Sequence, residues 1–232
     1  MLERPLFGFA SYGRVRFHHR SVVEFLAAKR LDALLTSGAS IKSIKRLLFA
    51  ETAQSVRTIR PSMRPVAAWL ALWRDSIFDE IVALDPAVVL DHGDPQSLRP
   101  AQRIRALEAY VDRYGRGGWR GLKTPRIQVH RFASNELAGS VRQLWNQGIE
   151  NPEVRDLLLQ LVAAGKLNSC ADIAHTAAMD GTLTDRERSL AIEALLQLQD
   201  SRINALSASV ETDHTRWTDS MARRAMLDLF PA

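Results

Sequence analysis

The sequence predicts an all-α fold, a right-handed superhelix built from antiparallel helix pairs. Three observations carry this expectation. Apolar residues recur at helical spacing along most of the chain, as at Val154, Leu157, Leu158, Leu161 and Val162, an i, i+3, i+4, i+7, i+8 series. Helix-start chemistry precedes several of these segments. Strand-like alternation is confined to residues 13–18 and, more weakly, to residues 126–132.

Taken in order, Ser21 stands three residues before Glu24, the spacing of a capping box that would open the first long helix. Val23, Leu26, Ala27, Leu31 and Leu34 fall on one face of that helix, and Gly38 is placed to end it. On this reading Phe25, Leu26 and Leu31 belong to the core. Pro61 and Pro65 break the chain ahead of the apolar run from Val66 to Trp73, in which Trp69 and Trp73 are packing partners one turn apart. Asp85-Pro86 and Asn151-Pro152 each set a good capping residue before a proline at the first helical position. Thr184 and Glu187 make a second capping box, ahead of Leu190, Ala191, Ala194, Leu195 and Leu198. Cys170 sits on an apolar face and reads as a small buried hydrophobe, while Trp145 and Trp217 read as packing residues.

The helices repeat faintly. Residues 98–110 (LRPAQRIRALEAY) echo residues 183–195 (LTDRERSLAIEAL) at an offset of 85 residues. That is close to twice the roughly 40–47-residue period of HEAT or armadillo units, in which each helix pair buries its apolar stripe against its neighbours.

Composition narrows the classes. The chain has 232 residues, 46% hydrophobic and 25% charged, the balance of a folded protein. Its longest apolar run, Val66 to Trp73, is too short to span a bilayer. Glu3, Arg4, Arg14 and Arg16 leave no apolar stretch for a signal peptide, and the single cysteine cannot form an internal disulfide. A reducing, cytoplasmic location is expected. The net charge of +5 is unevenly spread: residues 1–74 hold 13 Lys and Arg against 4 Asp and Glu, and residues 75–232 hold 18 against 22. A basic end attracts nucleic acid, phosphates or an acidic partner, or else is simply a solvated face.

One segment is unusually specific. Phe17-His18-His19-Arg20-Ser21-Val22-Val23-Glu24-Phe25-Leu26-Ala27-Ala28 resembles the pattern with which the winged-helix part of NACHT-type STAND NTPases ends. In that register Phe17 is the motif phenylalanine, His19 the motif histidine, and Glu24-Phe25 the motif pair. The resemblance implies a small winged-helix-like remnant over residues 1–36, followed by a HEAT-like helical repeat domain over 37–232 that senses a ligand. It also implies that His19 contacts nucleotide phosphates, provided an NTPase domain is supplied from elsewhere. The departures are large. The resemblance covers few residues, and neither a G-x-x-x-x-G-K-[ST] loop nor an acidic Walker B strand is found. Read without the resemblance, His19 is a junction histidine bonded to backbone and Glu24 a capping partner.

Two further clusters carry chemistry-capable side chains. Residues 113–123 (RYGRGGWRGLK) mix arginines, glycines and aromatics. Such a loop can track a phosphate backbone or anchor a protein partner, or merely connect two helices. Arg116, Trp119 and Arg120, together with Arg126, are the candidate partner-binding residues. Asp91-His92-Gly93-Asp94 holds metal-capable groups without a second ligand segment, and reads as a turn. No catalytic residue, metal or cofactor is nominated for the chain alone. The expectation is a non-enzymatic region that binds a ligand or protein partner, the sensor part of a NACHT-like signalling NTPase. The competing expectation is a free-standing nucleic-acid-binding helical repeat protein using the basic first third.

Overall fold

A computed structural model of the chain describes residues 7–9, 15–17, 19–117 and 123–229. The protein is all-α. Among the described residues there are thirteen α-helices, and the β-structure is limited to two small antiparallel hairpins. The chain divides into two compact units, at residues 97 and 98. The 36/37 boundary proposed from the motif is a boundary of resemblance rather than of compactness.

The first unit opens with a hairpin of β1 (Phe7–Phe9) and β2 (Val15–Phe17), in which Phe7 pairs with Phe17. Helix α1 (Arg20–Thr36) follows, then α2 (Ile41–Leu48). A second hairpin joins β3 (Phe49–Glu51) to β4 (Arg57–Ile59). Helices α3 (Arg64–Ala71), α4 (Asp75–Leu84) and α5 (Ala87–Asp91) complete the unit. Helix α3 is the hub and packs against α1, α2, α4 and α5. Its Val66, Ala67, Ala68, Leu70 and Ala71 are all buried, and the three alanines let neighbouring backbones come close. Gly93 exploits this: its φ is +67°, and a Cβ there would stand 3.1 Å from the Ala68 carbonyl carbon and from the Trp69 nitrogen. Trp69 and Trp73 do pack, and their common partner is Phe25 of α1, edge-on to both at ring separations of 5.0 and 6.0 Å. Arg74 ties the same surfaces together, with Nε 2.7 Å from Asp32 Oδ1.

The second unit contains α6 (Pro100–Tyr114), α7 (Arg126–Phe132), α8 (Ala138–Asn146), α9 (Pro152–Ala164), α10 (Ala171–Met179), α11 (Asp185–Leu198), α12 (Arg202–Thr212) and α13 (Asp219–Leu229). Helices two apart pack side by side. One layer runs α7, α9, α11, α13. The other runs from α6 to α8, from α8 to the turn that opens α10, and from α10 to α12. This is how an amphipathic helix hides its stripe in a repeat stack. In α9, Leu158, Leu159, Leu161 and Val162 are completely buried, each contributing roughly 1.5–3 kcal/mol. Ion pairs reinforce the stacking at the helix ends. Arg155 of α9 pairs with Glu187 of α11, and Asp156 of α9 with Arg186 of α11, so the charges are exchanged between neighbours. Arg142 of α8 clasps Asp172 of α10 through both guanidinium nitrogens. That contact holds the Asp172 carboxyl down at about 2.

Several sequence expectations hold at the residue level. Gly38 follows the end of α1 with φ +98°, Asn151 Oδ1 accepts the Glu153 N–H, and Thr184 and Glu187 form a reciprocal capping box. Asp85 Oδ1 accepts the Ala87 N–H at the start of α5. Cys170 is buried, and burial pushes its thiol pKa up. Asp91 closes α5, and residues 92 and 93 bend the chain after it.

Other expectations are corrected. Ser21 does not cap α1, because the helix starts two residues earlier, at Arg20, with His19 at its N-cap, and Glu24 turns instead to Arg20 at 2.9 Å. Val23 and Leu26 are each 45% exposed, since α1 meets α3 through Phe25 and Ala28. Residues 126–132 are the helix α7, not a strand: Val129 and Phe132, three apart, are buried while Ile127 is exposed. The β3–β4 hairpin was not foreseen. The 85-residue echo links α6 and α11, which belong to different layers. Within one layer α9, α11 and α13 begin at residues 152, 185 and 219, a spacing of 33 and 34 residues. What the echo preserves is helix-start chemistry. Gln102 and Glu187, both at N3, accept their N-cap N–H groups, and the next residue in each case is a buried arginine, Arg103 or Arg188.

Candidate functional site

The layer formed by α7, α9, α11 and α13 carries a cleft of about 390 Å³, a volume suited to a small ligand or a short peptide segment. Helix α11 supplies its floor. Ser189, Leu190, Glu193 and Leu196 fall on one face at helical spacing, and all four line the cleft. The same helix buries Ala191, Ile192, Ala194 and Leu195 on its other side. Gln160 comes from α9, Arg126 from the first turn of α7, and Arg224 from α13; Lys123 and Arg186 complete the rim. A smaller cavity of about 210 Å³ shares Arg126, Gln160, Leu190 and Glu193 and adds His130.

The charges are unequally satisfied. Arg126 pairs with Glu193 across the floor. Lys123 and Arg186 both reach Asp156 Oδ2, at 3.0 and 2.6 Å, and Asp156 is itself buried. Arg224 has no partner among the described residues. Four cations therefore face the cleft against one lining carboxylate and one carboxylate behind the rim. Ser189 adds a second imbalance. It is only 8% exposed, and its hydroxyl makes no hydrogen bond among the described residues although it lines the cleft. A buried hydroxyl without a partner loses roughly 1–3 kcal/mol of solvation. The hydroxyl oxygen itself is shielded from the cleft, and an acceptor oxygen reached by a turn of the Ser189 side chain would recover that loss, with guanidinium donors beside it and Leu190 and Leu196 for an apolar neighbour.

The residues nominated from the sequence do not form one site. Arg126 belongs to this cleft. Arg116 is exposed in the turn after α6 and lines a separate cavity of about 270 Å³ with Glu108, Asp112, Gln143 and Gln147. Trp119 and Arg120 lie outside the described residues. His19 is exposed at the N-cap of α1 in the first unit, and its side chain makes no capping bond. The sequence reading missed Ser189, Gln160, Arg186, Glu193 and Arg224. They come from three helices of one layer, and only Ser189, Leu190, Glu193 and Leu196 carried a visible signal, a shared helical face with mixed polarity. Leu190 lies on the cleft face of α11. It is half-buried because it borders the cleft rather than a helix.

Comparison of the chain with protein-family models, with curated proteins and with solved structures finds no match in any of the three.

Proposed function

We propose that this chain is a non-enzymatic binding region whose second unit captures an acidic segment of a protein partner in the α7–α9–α11–α13 cleft. The single observation that carries this reading is the buried, unpartnered Ser189 hydroxyl beside a surplus of cations. A carboxylate would satisfy the hydroxyl and at least one guanidinium, and an adjacent leucine-like side chain would cover Leu190 and Leu196.

The wider role is that of the sensor part of a NACHT-like signalling NTPase, with a right-handed helical stack and a cytoplasmic location. Its support is the Phe17–Ala28 motif, set at the junction of the β1–β2 hairpin and α1. His19 is exposed there, as a phosphate-contacting residue would need to be before its NTPase domain docks. Occupancy of the cleft would matter for switching only if the partner binds one arrangement of the whole protein more tightly than another. No helix among the described residues is long and apolar enough to cross a membrane.

The test is a fluorescence-polarisation screen of the full chain against an array of short peptides carrying one or two glutamates next to a leucine. Micromolar binding is expected for part of the array, weakened at least tenfold in S189V and in R224A. Failure of every peptide, or binding by both variants as tight as by the wild-type chain, would overturn the cleft as a partner site.

A further inference from the structure

The first unit holds a second charged feature that the cleft reading leaves unused. Helix α2 runs directly into the β3–β4 hairpin, and the angle between them encloses a groove of about 730 Å³. Its walls carry five cations, Lys42, Lys45 and Arg46 from α2 and Arg57 and Arg60 from β4 and the residue after it. Two of these are fixed from behind. Glu80 of α4 accepts from Lys45 Nζ at 2.8 Å and from Arg57 Nε at 2.6 Å, and the Arg57 guanidinium lies 5.5 Å over the Phe49 ring. Lys42 and Arg46 have no ion-pair partner among the described residues, and Arg60 only reaches the Arg46 carbonyl, at 3.5 Å. Five cations thus stand against two carboxylates, Glu51 in the wall and Glu80 beneath it.

From this geometry we infer that the α2–hairpin groove is a docking surface for the phosphate backbone of duplex DNA. The charges lie along a helix and an adjoining hairpin, with Lys42 and Arg46 one turn apart, about 6 Å along the axis. A B-DNA major groove admits an α-helix, so the eight-residue α2 can lie along it with its cations toward the flanking phosphates, and the deep, narrow groove of A-form RNA does not admit such side chains. The groove offers no apolar anchor of the kind a protein partner needs: Phe49 is buried, and the exposed Leu47 and Val56 of these elements do not line it. The same burial of Phe49 removes the aromatic platform on which single-stranded bases would stack. What remains is recognition of paired phosphates by lysine and arginine, independent of base sequence.

This inference does not depend on the cleft in the second unit, and its test separates the two. The full chain is titrated by fluorescence anisotropy with a mixed-sequence 25-base-pair DNA duplex at 50 and 200 mM salt. Parallel arms use duplex RNA, single-stranded DNA and polyglutamate, and circular dichroism checks every variant. Expected results are binding of duplex DNA at 50 mM salt, a steep loss at 200 mM, and at least a tenfold loss in K42A/R46A/R60A. That triple variant should also reduce the slope of log affinity against log salt by roughly 3. R46E alone, at an exposed position, should weaken binding in the same direction, and S189V should leave it unchanged. The proposal is overturned if the wild-type chain ignores duplex DNA at 50 mM salt, if the triple variant or R46E binds it normally, or if duplex RNA, single-stranded DNA or polyglutamate binds more tightly.

Discussion

The guanidinium of Arg188, on α11, lies 4.1 Å over the ring of Trp217, and both side chains are almost wholly buried. The arginine also donates to two backbone carbonyls, from Nε to Ala178 at 3.0 Å and from Nη1 to Arg216 at 3.1 Å. One buried cation therefore joins the end of α10, the start of α11 and the turn before α13. Its burial lowers its pKa, and the ring face and the carbonyls offset part of the lost hydration, Nη2 being buried without a hydrogen bond among the described residues. The Trp217 Nε1 donates to Ser209 Oγ at 3.0 Å, which leaves no polar atom of the ring unsatisfied.

Trp217→Ala is expected to destabilise the chain by about 3–5 kcal/mol, through cavity formation and loss of the arginine's aromatic face. A double-mutant cycle with Arg188→Met, followed by urea denaturation, should give a coupling of about 2 kcal/mol. Additive single effects would show that the stacked geometry contributes nothing beyond packing.

Glu187 is fully buried and serves two masters. It closes the capping box of α11 with Thr184 and it pairs with Arg155 of α9. Glu187→Ala removes both and should cost about 3–5 kcal/mol, because Arg155 loses its carboxylate in a mostly buried place. Glu187→Gln keeps the capping acceptor, as Gln102 does at the same position of α6, and should cost less than half as much. Equal losses in the two variants, read from chemical denaturation, would show that the cap is worth nothing.

Gly93 should not tolerate a side chain. Its left-handed backbone and the 3.1 Å approach to the α3 backbone predict a loss of about 2 kcal/mol for Gly93→Ala. Gly139, where a Cβ meets nothing, is the control: Gly139→Ala should be neutral or slightly stabilising. A thermal melt in which both variants behave alike would contradict the close approach.

The Arg142–Asp172 clasp predicts a defined acid sensitivity. The folded carboxyl titrates at about 2, below the ordinary value of 3.8. The unfolded chain therefore takes up the proton first as pH falls. The stabilisation is complete above about pH 4 and is lost as pH drops toward 2. Both side chains are more than a third exposed, so solvent screening limits the effect to below about 1 kcal/mol. Asp172→Asn should flatten that part of the stability–pH curve by lowering neutral-pH stability by that same amount, below about 1 kcal/mol, and leave stability near pH 2 almost unchanged. A wild-type curve that is already flat between pH 4 and 2 would refute the pairing in solution.

Local chemistry was legible wherever one short segment decides the outcome. The Asn151-Pro152 start, the Thr184–Glu187 box, the Gly38 stop and the apolar stripe of α9 all act within a few residues, so spacing alone reveals them. The same logic failed at Ser21, where Glu24 had a competing partner in Arg20, and at residues 126–132, where seven residues are too few to separate a helical period from an alternating one.

By itself the sequence determined the helical class, the starts of α5, α9 and α11, the buried cysteine and the concentration of positive charge near the N-terminus, because these follow from covalent order and local hydrogen bonding. Only the tertiary structure decided that α3 is the hub of the first unit, that α9, α11 and α13 of one layer recur every 33 or 34 residues, and which side chains meet. Arg126, Gln160, Ser189 and Arg224 are far apart in sequence and become neighbours only when four helices stack. Lys42 and Arg60 share one groove only because a hairpin folds back beside α2. Stripe and cap residues report how a segment meets its own backbone. They do not report which helix it lies against, since many apolar stripes are interchangeable, and that choice rests on the packing of the whole unit.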